Sequence, residues 1–246
     1  MFLILSCATQ KSQPIASGVS KQQFQLKDKS GVFRLEKESG PVSKSKSIFA
    51  VKRVLKDDEN KILEQSVVLS KLGSLKGKVS ILRPEKSQYT VWFDGKEYST
   101  ITQIDTKSKS LGLTFNSPEE QWKGQKNVSF PKNGAIYCYF SQLVECVMAT
   151  GFIHKAIDSG NGEMNLHIIW EGYPYIQQQY IGLPDEVFSR ATFSFDGENE
   201  RGLRRFSLNI KNSNQIIFYQ LSKSDELKAI FWPAQGLSIG DKGSQE

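Results

Sequence analysis

The sequence predicts an all-β fold made of two tandem antiparallel β-sandwich-like units of about 100 residues, a common size for a domain with its own core. Three observations support this prediction. Short runs that alternate apolar and polar residues follow one another, with turn-forming residues between them. An Asp-Gly pair joins two of these runs. The pair returns about a hundred residues later with similar flanking residues, which is typical of an internal duplication.

The repeated motif is the segment Thr90–Gly95, which returns as Thr192–Gly197. Both positions of a two-residue hairpin turn need a positive φ, which Gly accepts freely and Asp tolerates. We therefore expect hairpin tips at Asp94-Gly95 and at Asp196-Gly197, and we interpret both aspartates as turn residues. The flanking residues match at offsets of 100 to 103 positions, in the same order along the chain.

This alignment predicts a first β unit at 31–133 and a second at 134–236, and we expect a disordered tail at 237–246. The first unit has 19 Lys and Arg against 12 Asp and Glu, a net charge of +7, whereas 8 against 11 gives the second −3. The lysines lie among acidic residues without interleaved aromatic residues, so we expect no nucleic-acid partner.

The strands predicted in the first unit are Val32–Leu35, Ile48–Leu55, Ile62–Leu72, Val79–Leu82, Tyr89–Phe93, Tyr98–Ile104 and Leu111–Phe115. Those predicted in the second are Ala135–Phe140, Gly151–Ile157, Met164–Trp170, Tyr175–Ile181, Ala191–Phe195, Leu203–Ile210 and Ile216–Leu221. Two stretches, Ser141–Ala149 and Ser224–Ala229, could instead be helical, since the first has apolar residues near a helical spacing and the second begins with a possible Ser cap.

The N-terminal residues form a short apolar run that ends at a cysteine. Its last part, Ile4-Leu5-Ser6-Cys7, resembles the lipobox of bacterial lipoproteins, in which signal peptidase cuts before the cysteine and the cysteine carries the lipid. This resemblance implies lipidation of Cys7 and attachment to a membrane of the cell envelope, with the outer membrane, facing the periplasm or the surface, as the expected place. The resemblance thus implies that residues 1–30 consist of a truncated signal with a lipid anchor, followed by a flexible tether rich in Ser, Gln and Lys. The apolar run is shorter than a signal peptide and has no charged start, so we expect a start codon further upstream.

The two other cysteines, Cys138 and Cys146, lie close together at the start of the second unit, where the first unit has Leu35 and Ser43. Their joint presence predicts a disulfide, which suits an oxidising compartment. Two buried reduced thiols are the alternative.

The sequence contains no constellation that indicates catalysis. Phosphate-binding loops, nucleophile elbows and Cys-x-x-Cys pairs are missing, and we expect neither an enzyme nor a cofactor nor a metal. We interpret His154 and His167 as histidines at the edge of a β core. The acidic stretch Asp57–Asn60 and its counterpart Asp158–Glu163 lack the ligand spacing of a calcium loop, so we expect hairpin loops there.

The candidate binding surface consists of Trp170, Tyr173, Tyr175 and Tyr180. Aromatic faces stack on sugar rings or bury a large area at protein interfaces. The alternative is that these side chains fill the interior of the sandwich.

The first functional hypothesis is therefore a non-catalytic, lipid-anchored envelope protein that binds or scaffolds a protein or glycan partner through its second unit. The alternative is a periplasmic or outer-membrane carrier or binder of a lipid or another apolar ligand, in which a curved sheet encloses an apolar cavity, as in periplasmic lipoprotein carriers. A hydrolase acting on an envelope polymer is a third possibility, and it requires a serine or a carboxylate in a cleft.

Overall fold

The computed structural model describes residues 22–28, 31–42, 47–75, 79–132 and 135–241. Cys7, its lipobox-like segment and most of the predicted tether lie outside these residues. The described part is dominated by strands that all join one sheet, which confirms the predicted all-β class. The strands are β1 (Gln22–Asp28), β2 (Arg34–Pro41), β3 (Ile48–Lys56), β4 (Ile62–Leu75), β5 (Val79–Phe93), β6 (Lys96–Asp105), β7 (Ser110–Asn116), β8 (Gly124–Ser129), β9 (Tyr137–Tyr139), β10 (Glu163–Ile169), β11 (Phe188–Glu198), β12 (Arg204–Ile210), β13 (Ile216–Leu221), β14 (Leu227–Trp232) and β15 (Leu237–Gly240).

Three short α-helices interrupt the second half of the chain: α1 (Leu143–Ala149), α2 (Phe152–Ser159) and α3 (Tyr175–Gln179). Single 3₁₀ turns occur at Glu120–Trp122, Phe140–Gln142 and Pro233–Gln235. No helix of the described residues combines the length and the apolar character that crossing a membrane requires.

The sheet is a pair of meanders joined at its centre. From β8 to β1, each strand pairs with its neighbour in sequence; β1 then pairs with β15, and the order continues down to β9. All pairs are antiparallel except β9 with β10. The strands of both predicted units therefore share one continuous sheet. The duplication and the division into two units stay predictions.

The sheet curls over so that its β9 end packs against the inner face of the first half. The Tyr139 hydroxyl of β9 lies 2.9 Å from Thr102 Oγ1 of β6. One hydrophobic cluster combines Tyr139 and Ile169 with Val68 and Leu111 from the opposite layer. A larger cluster combines α1 and strands of the second half with Leu26, Leu35, Tyr89 and Val91 of the first half. The fold thus has two layers that pack together through these two clusters.

Two predicted strands are helices instead. The prediction of a strand at Gly151–Ile157 is wrong because α2 occupies this segment, with Ile153 and Ala156 on its buried face. The prediction of a strand at Tyr175–Ile181 is wrong because α3 begins there. Runs this short satisfy both periodicities. The helical alternative at Ser141–Ala149 is confirmed by α1, whereas Ser224–Ala229 leads into β14.

The two Asp-Gly pairs have different roles. Asp94 and Gly95 have φ values of 49° and 75° and form the tip of the β5–β6 hairpin, as predicted. The prediction of a tip at Asp196-Gly197 is wrong, because this pair lies inside β11 at a bulge. The turn follows later, where the Asn199 N–H donates to the Leu203 carbonyl. A glycine relieves the backbone in both places, since bulges as well as tight turns favour it.

The predicted tether and tail both contain strands. Gln22–Asp28, within the predicted tether, forms β1, and its Leu26 is buried in the core. Leu237–Gly240, within the predicted tail, forms β15, where Ile239 is buried. The first segment is mostly polar and the second has only four residues, so their composition did not indicate that they pair with each other.

Candidate functional site

The predicted aromatic surface lies mainly in the core. Trp170 is fully buried, and Tyr175 and Tyr180 are 2% and 5% exposed. Trp170 Nε1 donates to Ser189 Oγ over 2.8 Å, and the Tyr180 ring stacks on Trp232 at 4.7 Å between centroids. These three residues therefore fill the interior, which is the alternative interpretation that the sequence offered for them.

The fourth aromatic residue of the predicted surface, Tyr173, is half-buried, and Lys126 Nζ lies 5.4 Å from its ring centroid. Because the other three aromatic residues are buried, Tyr173 alone does not form an aromatic surface.

Buried polar side chains attach the helical segments to the sheet. Arg53 of β3 forms an ion pair with Glu64 of β4, and the Tyr180 hydroxyl donates to Glu64 Oε2 over 2.7 Å. Lys37 of β2 reaches Glu145 of α1, with 2.8 Å between Nζ and Oε2. All of these groups have partners, as buried charges require.

A cavity of about 30 Å³ next to Arg53 and Lys37 offers room for about one water molecule. The buried Tyr89 hydroxyl has no hydrogen-bond partner among the described residues, and burial raises its pKa well above the usual range. A substrate does not fit this space. The polar cluster therefore stabilises the fold and offers no site for chemistry.

The two histidines occupy different environments. His167 of β10 is buried, and its ring lies 4.9 Å from the Tyr137 ring, so its prediction as a core-edge histidine agrees with the structure. Burial, followed by the charges of Arg190 and Lys132, lowers the pKa of His167, which is therefore neutral at pH 7. The prediction is wrong for His154, which is exposed on α2 with its Nε2 3.4 Å from Asp225 Oδ2.

The described residues contain no group of three potential metal-ligating side chains. Asp57–Asn60 forms the predicted β3–β4 hairpin loop, in which the Asp57 N–H donates to the Lys61 carbonyl. Its counterpart Asp158–Glu163 is not a hairpin loop, because it carries the end of α2 into β10.

The candidate functional site is a groove of about 310 Å³ at one end of the two-layer core. It lies where the beginning of β5, the end of β6 and the segment before β9 meet. Most of its wall is apolar or aromatic and includes Ile81, Leu82, Pro84, Ile104, Phe130 and Tyr137. Several of these side chains also belong to, or pack against, the hydrophobic cluster between the layers, so the groove opens directly onto the core.

A bulge in the long β4–β5 hairpin forms one wall of the groove. The sequence predicts two strands, Val79–Leu82 and Tyr89–Phe93, but β5 runs through both. The register with β4 shifts where Pro84 and Lys86 face consecutive residues. Pro lacks an N–H group, so it is tolerated at such a bulge, which bends the strand. Strand β6 pairs with β5 only from Lys86 onward, which leaves the earlier part of β5 free to line the groove.

The floor of the groove is fixed by an aromatic cluster. The Phe130 ring lies 4.8 Å from the Tyr137 ring and 5.1 Å from the Phe188 ring. The Tyr137 hydroxyl donates to the Lys132 carbonyl over 2.8 Å and accepts from the Lys132 N–H over 3.0 Å. These contacts hold residues 130–132 against β9.

The predicted disulfide between Cys138 and Cys146 is present, with 5.8 Å between the Cα atoms. It joins β9 to α1 directly behind the floor: Cys146 Sγ lies 3.6 Å from the Tyr137 carbonyl and 4.0 Å from the Leu82 carbonyl. The covalent link therefore ties β9, whose Tyr137 lines the groove, to α1.

The rim of the groove is charged. Arg83, Lys109 and Lys132 line it from three different segments, and all three are exposed. The one acidic lining residue is Asp105. Its carboxylate accepts hydrogen bonds from the side chain of Ser108 and from the backbone N–H of Lys107, and these bonds lower its pKa. Asp105 is thus fixed by hydrogen bonds within the β6–β7 turn.

Sequence reasoning missed this groove because its walls come from segments that are distant in the chain. Pro84-Glu85 between two apolar runs was a visible signal of a bend, and Phe130-Pro131-Lys132 was a visible aromatic turn. Nothing in the sequence brings these two signals together, since their proximity depends on the sheet curling over.

Comparisons with protein-family models, with curated proteins and with solved structures find no match to this chain. Its function is therefore inferred from the geometry of the groove.

Proposed function

We propose that this protein is a non-catalytic binder or carrier of an apolar ligand, which it holds in the groove between β5, β6 and the segment before β9. The observation that carries this proposal is a preformed concavity of about 310 Å³ with a mainly apolar wall. Ligand sites in proteins have volumes from about 300 to 1,000 Å³ and are lined mainly by apolar and aromatic side chains. The groove lies at the lower end of this range.

The walls of the groove support the proposal because they are held in place before a ligand arrives. The disulfide, the Tyr137–Lys132 hydrogen bonds and the edge-to-face contact of the Phe130 and Tyr137 rings all restrain the floor. A preorganised site loses less conformational freedom when it binds, and this raises affinity.

The non-catalytic part of the proposal rests on the chemistry of the lining. Among the described residues that line the groove, the polar groups are three cations, the Asp105 carboxylate and the hydroxyls of Thr106 and Tyr137. Asp105 accepts hydrogen bonds from the Lys107 and Ser108 N–H groups, the Tyr137 hydroxyl donates to the Lys132 carbonyl, and among these residues no hydrogen bond joins a hydroxyl of the lining to the carboxylate. Such a set can orient a ligand but offers no pair for acid-base or nucleophilic chemistry.

The cellular location remains part of the proposal. The disulfide suits an oxidising compartment, which favours the cell envelope. A lipid on Cys7 would attach the protein to a membrane, where apolar ligands are found. Intact mass of the protein expressed in a bacterial host from an extended start tests this placement: we expect cleavage before Cys7 and added acyl chains, and an unprocessed, unmodified chain would remove the anchor.

A groove-filling variant tests the binding function. Ala135 lines the groove, so Ala135→Trp places a large side chain in the space for the ligand. Ala234 is exposed on a 3₁₀ turn elsewhere, so Ala234→Trp is the matched control. We expect the wild type and the control to bind the neutral probe N-phenyl-1-naphthylamine saturably. Ala135→Trp should weaken this binding at least about tenfold, equivalent to about 1.4 kcal/mol.

Fluorescence titration measures the affinity, and circular dichroism establishes that all three proteins are folded. The absence of saturable binding by the wild type, or equal affinity for the wild type and Ala135→Trp, would contradict the proposed function.

A second candidate function, recognition of an envelope glycan through the second half of the chain, is favoured by one surface. A polar cleft of about 530 Å³ crosses β10–β13, and its lining includes Thr192, Ser194, Ser207 and Phe218. The guanidinium of Arg205 lies 5.7 Å from the centroid of the Phe218 ring. Hydroxyl groups around an aromatic ring suit a sugar.

Co-sedimentation with purified cell-wall glycan tests this second candidate. Phe218→Ala should reduce the bound fraction. Val32→Ala, which removes an exposed apolar side chain elsewhere, should not. Equal sedimentation of the wild type and Phe218→Ala would argue against glycan binding at this cleft.

A further inference from the structure

We propose that the ligand of the groove is a single-chain amphiphile with a carboxylate head group, and that Arg83, Lys109 and Lys132 bind this head group at the rim. This inference rests on the proposed function and adds the chemical class of the ligand. The apolar wall receives the chain, and the rim receives the charge.

The convergence of the three cations is the first observation. Arg83 belongs to β5, Lys109 to the turn between β6 and β7, and Lys132 to the segment before β9. These segments are distant in sequence, and the same curl of the sheet that forms the apolar groove brings them to its mouth. Three cations against the single carboxylate of Asp105 leave an excess of two positive charges around an apolar opening.

The second observation is that these cations have no ion-pair partner among the described residues. Other cations of the first half do have one: Lys37, Arg53 and Lys56 are paired with Glu145, Glu64 and Glu36. Asp105, the acidic residue that lines the groove, already accepts a hydrogen bond within the β6–β7 turn. The rim therefore offers positive charge that the protein itself does not neutralise.

Arg83 is also positioned. Its Nη2 donates to the Ser74 carbonyl, across the end of the β4–β5 hairpin. The remaining N–H groups of the guanidinium are available to the groove, and a guanidinium matches the two oxygens of a carboxylate in a bidentate geometry. A fixed guanidinium loses less freedom on binding than a mobile lysine, so Arg83 is the expected anchor.

The size of the groove limits the ligand to one chain. At about 310 Å³, it is at the lower end of the range for ligand sites, so a lipid with two acyl chains exceeds it. A single chain can place its apolar part against Ile81, Leu82 and Phe130 while its head group stays at the exposed rim. Charge-assisted hydrogen bonds are roughly twice as strong as neutral ones, so the head group adds both affinity and orientation.

Three probes with the same chain and different heads test this inference: decanoate, decanol and decyltrimethylammonium, each used below its micelle concentration. Isothermal titration calorimetry of the wild type at low ionic strength should give decanoate at least about tenfold tighter binding than decanol. The ammonium compound should bind most weakly. Added salt should weaken the binding of decanoate but not of decanol, because screening acts only on the charged head.

Two triple variants locate the effect. In the rim variant, Arg83→Gln, Lys109→Gln and Lys132→Gln remove the three cations, and decanoate should then bind no better than decanol, whose own affinity stays unchanged. In the control variant, Lys52→Gln, Lys107→Gln and Lys155→Gln remove the same charge from exposed positions that do not line the groove. Lys107 is the closest match, since it lies in the same turn as Lys109.

The possible failures are distinguishable. If decanol binds the wild type as tightly as decanoate, the head group is not recognised, although the groove still binds an apolar chain. If decanoate binding falls equally in both triple variants, the effect comes from net charge and the rim assignment is overturned. Decyl phosphate, titrated in the same way as a fourth probe, should bind no more tightly than decanoate, and tighter binding would overturn the carboxylate assignment. If no probe binds and N-phenyl-1-naphthylamine also fails, the proposed function itself is overturned.

Discussion

Two regions of this molecule place cations beside apolar walls, and they treat the charges in opposite ways. In the interior, Lys37 and Arg53 border a cavity of about 30 Å³, and each is buried against a glutamate. At the groove of about 310 Å³, Arg83, Lys109 and Lys132 are exposed and have no such glutamate among the described residues. Charges inside the fold are neutralised by partners, whereas the charges at the proposed binding site remain available to a ligand.

The largest expected effect is at the interior pair. Glu64→Leu leaves the buried guanidinium of Arg53 without its carboxylate, and removing one partner of a buried ion pair costs about 3–5 kcal/mol. We expect urea denaturation to show a loss of this size in the free energy of unfolding. The double variant Arg53→Met, Glu64→Leu should recover most of it, because no unpaired charge remains. A single variant as stable as the wild type would show that Arg53 is not buried in solution.

The disulfide behind the groove should have the next largest effect. It closes a short loop, since Cys138 and Cys146 are separated by 8 positions, and the chain-entropy relation gives about 2–3 kcal/mol for such a loop. Cys138→Ala with Cys146→Ala should lower the free energy of unfolding by this amount. The variant should also bind N-phenyl-1-naphthylamine more weakly, because the floor is no longer fixed. Unchanged probe affinity in a folded variant would separate the disulfide from the groove.

A smaller effect is expected from His167, whose pKa burial lowers in the folded protein. The unfolded chain then takes up a proton first as the pH falls below about 6.5, so acidification favours unfolding. The stabilising contribution is complete above this pH, declines as the pH falls toward the folded pKa and levels off below it, with a slope of at most about 1.4 kcal/mol per pH unit.

Thermal unfolding of the wild type and of His167→Phe between pH 7.5 and 5.0 measures this dependence. The phenyl ring retains the contact with Tyr137 but cannot titrate. We expect the variant to lose less stability than the wild type over this range. Parallel curves for both proteins would mean that His167 does not contribute to the pH dependence.

The smallest effect is expected at the rim. The triple variant Arg83→Gln, Lys109→Gln, Lys132→Gln should change the free energy of unfolding by less than about 1 kcal/mol, because all three side chains are exposed and the hydrogen bond lost is that of Arg83 to the Ser74 carbonyl. Urea denaturation measures this change in the free energy of unfolding, in parallel with that of Glu64→Leu. A large loss at the rim would remove the distinction between structural cations and ligand-binding cations.

The sequence was a good guide wherever the signal is local. The turn at Asp94-Gly95 depends on two adjacent backbone conformations, and the disulfide depends on two cysteines that are close in the chain. The all-β class follows from the alternation of many short runs. These features need no information about which distant segments meet.

The sequence was a poor guide wherever tertiary packing decides. Tyr175 and Tyr180 suit a strand, a helix or a surface equally well, and only the curled sheet makes α3 and a buried position the stable solution. Asp196-Gly197 has the composition of a turn but serves as a bulge, because the β11–β12 pairing continues beyond it. The groove could not be predicted for the same reason. The residues that line it are visible in the sequence, but only the fold brings them together.

The pairing of β1 with β15 at the centre of the sheet has a consequence for how the chain folds. Each half is a meander whose hairpins form between neighbours in sequence, and such local contacts form quickly. The Lys27–Gly240 pairing, in contrast, joins positions from opposite ends of the described chain, so β1 waits at an open edge until β15 has been synthesised. During that interval the edge of β1 that will pair with β15 is exposed, and unpaired edges are where chains associate with each other. A copy whose β1 meets the β15 of another molecule would form a domain-swapped dimer, so the central seam is the place where folding and self-association compete.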